Sequence, residues 1–144
     1  MIDVKRLAVE EADILIEGAE QSSLRLAIPM CIAVTDESGH LLAFRRMDGG
    51  KITSISIAID KAFTGAAARK PTHVYSRLCV SGQPTFGIHI TNGGHFSIIG
   101  GGFPVIVDGA IVGGIGISSG TAKEDQEVGE AALQYFYQRT GYQP

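Results

Sequence analysis

The stretch that decides the fold is residues 104–121, PVIVDGAIVGGIGISSGT. At its centre, Asp108-Gly109 is typical of a two-residue type I′ turn, because both residue types tolerate a positive φ. The apolar runs on either side, Pro104 to Val107 and Ala110 to Ile117, have the length and composition of strands. The stretch therefore predicts an antiparallel hairpin that is followed directly by a helix.

The residues after this hairpin predict the last helix. Thr121 and Glu124 have the spacing of a capping box, in which each side chain satisfies a backbone N–H of the other residue. Val128, Ala132 and Phe136 then recur at intervals that place them on one helical face. We expect this face to pack against the sheet.

The N-terminal half predicts a helix, a second hairpin and another helix. Asp3 is a candidate cap for the first helix, which runs to about Leu26. Strand-like runs at 30–35 and 40–44 flank the turn residues 36–39. The apolar stripe from residue 52 to 66 then predicts a helix that ends near Arg69.

The segment between the two halves is less regular. Thr72 is a candidate cap for a short helix through Leu78. Further on, Asn92-Gly93 fits a tight turn between strands at 86–90 and 96–99, but the glycine density fits a loop equally well. The sequence leaves these two alternatives open.

The order of these elements predicts the fold class. It does not alternate strand and helix, so a doubly wound parallel sheet is disfavoured. We expect an α+β fold, with one antiparallel sheet of about five strands flanked by helices. Apolar periodicity extends from end to end without a linker, so we expect residues 1–144 to form a single domain.

Composition narrows the function classes. A formal net charge of -3, with no basic run, disfavours nucleic acid as a partner. Charge interrupts the N-terminus early, and no stretch approaches the ~20 apolar residues of a membrane span. We therefore expect a cytoplasmic protein. Cys31 and Cys79 lack the CxxC spacing of redox or metal motifs and are interpreted as buried thiols.

The glycine-rich end of the last strand resembles a catalytic motif and a dinucleotide-binding motif, but residues that each motif requires are missing from the chain. Residues 116–120 match the GxSxG nucleophile elbow, but all four histidines precede Ser118, whereas that fold requires one to follow it. Residues 114–119 begin a dinucleotide-binding pattern whose third glycine is replaced by Ser119. Two interpretations remain: a structural turn, or an anion site where backbone N–H groups at a helix start face a carboxylate.

Few ionisable side chains suggest chemistry of their own. The four histidines lack the HxxxH and HExxH spacings of a zinc site. His89 and His95 bracket the glycine-rich turn and would face each other across a hairpin. Lys61 falls near a predicted apolar face, where it either pairs with a ligand carboxylate or lies in solvent.

Several blocks of the sequence together resemble one family. PMCIAVTD at 29–36, GHLLAF at 39–44 and RMDG at 46–49 resemble the first hairpin of GlcG/HbpS-type domains, which also form the C-terminal part of PduO-type proteins. SISIAIDKA at 54–62 resembles the second helix of that family. GGFP at 101–104 and GGIGISSGT at 113–121 resemble its closing strands. These blocks occur in order over nearly the whole chain.

The resemblance implies a profilin-like fold, a homo-oligomer and a haem or other tetrapyrrole ligand. It also implies an accessory role beside glycolate, glycerol or propanediol pathways. The candidate haem iron ligands are His40, His89 and His95. The candidate ligand-binding residues share the glycine-rich strand ends, the helix start and the nearby cation: Gly101, Gly102, Gly116, Ser118, Ser119, Gly120, Thr121 and Lys61.

Three functions follow as hypotheses. The leading one is a non-covalent haem-binding or haem-handling accessory protein, rather than an enzyme. The second is a protein or enzyme that binds a small organic acid or alcohol at the same anion site without haem. The third is a structural partner in an oligomer.

Overall fold

The computed structural model describes residues 1–144. It contains four α-helices, four β-strands and two short 3-10 turns at Ile88–Ile90 and Asn92–Gly94. In chain order the elements are α1 (Val9–Leu26), β1 (Cys31–Asp36), β2 (Leu41–Arg46), α2 (Ser54–Ala67), α3 (His73–Leu78), β3 (Gly102–Val107), β4 (Ala110–Ser118) and α4 (Ala122–Thr140).

The four strands form one antiparallel sheet in the order β2-β1-β4-β3. Both predicted hairpins are confirmed, and β1 and β4 join them at the centre of the sheet. Asp108 and Gly109, with φ of 50° and 76°, connect β3 to β4, as expected for a type I′ turn. The α+β class and the profilin-like arrangement are therefore confirmed, with four strands rather than about five.

Helices cover both faces of the sheet. The two central strands, β1 and β4, are therefore buried on both sides. On one face, Ile32 and Ile117 join a large apolar core with Leu15 of α1 and Phe136 of α4. On the other face, Cys31 packs with residues of α2 in a smaller cluster. The alternation of side chains along a strand assigns each residue to one of these two cores.

The packing of α2 on the sheet requires the helix backbone to lie very close to the strands. A Cβ atom on Gly116 of β4 would clash with the carbonyl oxygen of Ala58, and one on Gly102 of β3 would clash with that of Lys61. These glycines allow the α2 backbone to lie directly on the sheet. Gly102 and Gly116, which the sequence offers as ligand-binding candidates, thus have a packing role.

Three details differ from the sequence-based expectations, although α3 has the predicted bounds and the loop alternative for 86–99 is confirmed. The first helix begins at Val9 after Ala8 rather than near Asp3. Thr72 does not cap α3 with its side chain; its Oγ1 instead donates a hydrogen bond to the carbonyl of Ile99 at 2.6 Å. The hairpin alternative for 86–99 is also wrong, because the segment forms the two 3-10 turns and no strand.

No helix combines the length and the apolar character needed to cross a lipid bilayer.

Candidate functional site

A buried ion pair joins α2 to the start of α4. Lys61 Nζ lies 2.8 Å from Asp125 Oδ2 and donates a second hydrogen bond to the carbonyl of Ile117 at 2.9 Å. The two side chains are only 1% and 3% exposed. Lys61 therefore does not lie in solvent, and its positive charge is paired with the carboxylate of Asp125.

Burial dominates the electrostatics of this pair. It lowers the pKa of Lys61 and raises the pKa of Asp125, while their mutual attraction opposes both shifts. Each charge is far from water and depends on the other for its stability.

The glycines around the pair leave room for it. Gly101 has φ of +122°, and a Cβ atom there would lie 3.0 Å from Lys61 Nζ and 2.8 Å from Asp125 Cβ. The N–H of Gly120 donates to Asp125 Oδ1 at 2.9 Å. Gly101 and Gly120 thus lie next to Lys61 and Asp125, as part of one closely packed cluster.

The start of α4 carries the predicted capping box. The Glu124 N–H donates to Thr121 Oγ1 at 3.2 Å, and the Thr121 N–H donates to Glu124 Oε1 at 2.9 Å. These hydrogen bonds lower the pKa of Glu124. Asp125 and Glu124 thus accept hydrogen bonds from the N–H groups of Gly120 and Thr121, and the Thr121 hydroxyl accepts from that of Glu124. A ligand carboxylate here would have to compete with these side chains.

Ser118 and Ser119 connect the end of β4 to the start of α2. Ser118 Oγ donates to Ser54 Oγ at 3.1 Å, and Ser119 Oγ accepts from the Lys51 N–H at 3.0 Å. Both serines are buried. Neither hydroxyl is hydrogen-bonded to an imidazole, so this GxSxG sequence does not form the serine–histidine pair of a hydrolase.

A cavity of about 590 Å³ lies beside this cluster, between α3, the chain before β3 and the first turns of α4. Its walls combine a histidine, small and apolar residues, one cation and two glutamates. The lining residues are His73, Ser76, Ile98, Ile99, Gly100, Ala122, Lys123, Gln126, Glu127 and Glu130.

His73 is the distinctive polar side chain of the cavity. Its Nδ1 atom is buried and has no hydrogen-bond partner in the protein. Its ring centroid lies 5.9 Å from that of Phe103, which holds one side of the imidazole against the core. A buried imidazole nitrogen without a partner is costly, and this distinguishes His73 from the other residues that line the cavity.

The three histidines predicted as iron ligands lie elsewhere. His40 is exposed in the turn between β1 and β2. His89 Nδ1 lies 3.1 Å from the Sγ atom of Cys79, and His95 Nδ1 lies 2.8 Å from Asp60 Oδ1. Because their partners differ and no hairpin forms, the expected pairing of His89 with His95 is absent.

One of these histidines, His95, lines a second cavity. His95 and Asp60 line a smaller cavity of about 360 Å³ with Phe63 and Asn92. No group of three or more His, Cys, Asp or Glu side chains is close enough to hold a metal ion.

Sequence reasoning did not select His73. The one signal available was its position after Thr72 at the start of a short helix. The cavity wall beside His73 is formed by Ile98, Ile99 and Gly100. These residues follow the irregular segment, and their sequence has no periodicity that would predict a cavity there.

The fold and its glycine-rich strand ends define a known class of protein. The chain belongs to the HbpS-like family, whose model, described as "Haem degrading protein HbpS-like", matches residues 7–134. The resemblance found in the sequence blocks is therefore confirmed.

Individual relatives extend this result. A 15.0 kDa protein in the dhaT-dhaS intergenic region of Citrobacter freundii is 32% identical over 133 residues, covering 92% of this chain and 94% of that protein. The crystal structure of Klebsiella pneumoniae protein ORFY has a TM-score of 0.92 at 28% identity, covering 94% of each chain. The crystal structure of the PduOC:haem complex has a TM-score of 0.87 at 26% identity, covering 90% of this chain and 94% of the other.

Proposed function

We propose that this protein binds haem non-covalently and acts as an accessory protein beside a small-molecule catabolic pathway. The observation that carries the proposal is a cavity of about 590 Å³ lined by His73, whose buried Nδ1 atom has no hydrogen-bond partner in the protein. Support comes from the PduOC complex, in which a domain of the same fold holds haem.

The residues of the cavity fit such a ligand. A haem site needs a donor for the iron, apolar walls for the macrocycle and positive charge for the propionates. His73 offers the imidazole, Ile98 and Ile99 offer apolar surface, and Lys123 offers the cation. When bound, haem supplies an iron atom that accepts axial ligands and exchanges electrons.

The chain's own residues would control access and orientation. Lys123 and Glu127 lie on α4, about one helical turn apart, so a propionate would have to lie nearer to the ammonium than to the carboxylate. The buried Lys61–Asp125 pair fixes the start of α4, and so fixes where these charges lie.

The wider role is part of the same proposal. We infer a cytoplasmic homo-oligomer that handles haem or a related tetrapyrrole for an enzyme of glycolate, glycerol or propanediol breakdown. The Citrobacter freundii relative is encoded in the dhaT-dhaS intergenic region, and the accessory role proposed here rests on the family resemblance.

Titrating the purified protein with hemin tests the binding. We expect a saturable shift of the Soret band, because coordination by a protein imidazole changes the ligand field of the iron. A spectrum that only sums free hemin and protein would contradict the proposal. If an organic acid or alcohol instead raised the thermal unfolding midpoint while hemin did not bind, the second hypothesis would replace it.

A further inference from the structure

A second pair of chemically active side chains lies outside the cavity of His73. Cys79 follows the last residue of α3, and its Sγ atom is 3.1 Å from Nδ1 of His89. Both cysteines of the chain are free thiols. A thiol beside an imidazole is the usual arrangement of a nucleophilic cysteine, because the imidazole accepts the thiol proton and the thiolate is the reactive form.

The two partners differ in exposure. Cys79 is 8% exposed, whereas His89 is an exposed residue. Because Cys79 is largely buried, its surroundings favour small uncharged reagents over large or strongly hydrated ones. The imidazole can pass the proton that it accepts on to water.

The chain around His89 is held mainly by local contacts. Backbone hydrogen bonds in this segment connect near neighbours, such as Gln83 to Val80 and Ile90 to Gly87. The Cys79–His89 contact is the only side-chain hydrogen bond that ties residues 80–91 to the chain before them. Segments with so few long-range contacts open at low cost, which gives a reagent access to Sγ.

The other cysteine provides an internal contrast. Cys31 is 0% exposed and its Sγ atom contacts the carbonyl of Lys51 at 3.6 Å, with no imidazole in reach. Burial raises the pKa of the Cys31 thiol, which disfavours its thiolate. Cys79 thus has an imidazole beside its thiol, whereas Cys31 does not.

We propose that Cys79 is a reactive thiol, with His89 as its base, that forms a covalent bond with small uncharged carbon electrophiles. With iodoacetamide as the probe, Sγ bonds to the methylene carbon while the carbon–iodine bond breaks and iodide leaves. The thiol proton passes to Nδ1 of His89. This reaction is independent of haem and of the His73 cavity.

Alkylation of the native protein with iodoacetamide, followed by peptide mass spectrometry, tests the proposal. Cys79 is expected to react at least about tenfold faster than Cys31, because Cys31 is fully buried and only Cys79 has a neighbouring base. His89→Gln is expected to slow the alkylation of Cys79 by about tenfold, because glutamine cannot take up the proton.

The matched control is His40→Gln, which replaces another exposed histidine in a turn away from Cys79. It should leave both alkylation rates unchanged. Equal rates at Cys79 and Cys31, or a Cys79 rate that His89→Gln does not lower, would overturn the proposal.

Discussion

An Asp125→Ala variant is expected to lose about 3–5 kcal/mol of unfolding free energy, because it leaves the buried ammonium of Lys61 without its counter-charge. The Nζ–Oδ2 distance of 2.8 Å and the near-zero exposure of both side chains identify this as a desolvated pair. The loss would appear in urea unfolding as a lower midpoint with an unchanged slope.

The matched control is an exposed ion pair of similar length. Glu20 Oε2 lies 2.9 Å from Arg45 Nη1, with side chains 32% and 52% exposed. Glu20→Ala should cost less than about 1 kcal/mol, since solvent screens such pairs. Equal losses for Asp125→Ala and Glu20→Ala would show that the buried pair does not hold α2 and α4 together.

Gly116→Ala is expected to destabilise the protein by about 1–3 kcal/mol, because the added methyl group must displace the carbonyl of Ala58. The affected atom belongs to the α2 backbone, so no side-chain rotation can relieve the overlap. Thermal or urea unfolding would measure the loss.

Gly100→Ala is the control for this change. Its Cβ atom would meet the carbonyl of Ala122 and Cβ of His73 at 3.4 Å, which is nearly an ordinary contact. It should cost clearly less than Gly116→Ala. A Gly116→Ala variant as stable as the parent would contradict the close packing of α2 on the sheet.

Local chemistry made much of the fold predictable. Asp108-Gly109 demands positive φ values that suit a hairpin turn, and Thr121 with Glu124 satisfies the N–H groups of a helix start. Both signals act over a few residues and need no knowledge of the tertiary structure. The irregular segment 84–99 has no such signal, because its glycines permit several conformations.

The site was less predictable because its members are distant in sequence. Lys61 and Asp125 are 64 residues apart, and each alone resembles a surface charge. One signal was available: Lys61 is three residues from Ala58 and four from Gly65, so it falls on the buried face of α2. A lysine on such a face needs a buried partner, but the sequence does not identify it.

The same difficulty applies to His73. A histidine at the start of a six-residue helix has no periodicity that distinguishes a cavity wall from the surface. The sequence suggests His40 as an iron ligand because it lies in a matched block, and His89 and His95 because they flank a glycine-rich turn. The structure instead places His89 beside Cys79 and His95 beside Asp60.

The most direct test of haem binding at the His73 cavity compares hemin titrations of the parent, His73→Ala and His40→Ala proteins. We expect the parent and His40→Ala to show the same saturable Soret shift. His73→Ala should weaken or abolish this shift while keeping the parent's far-UV circular dichroism. A His73→Ala protein that binds hemin with the parent's spectrum and affinity would contradict the assignment.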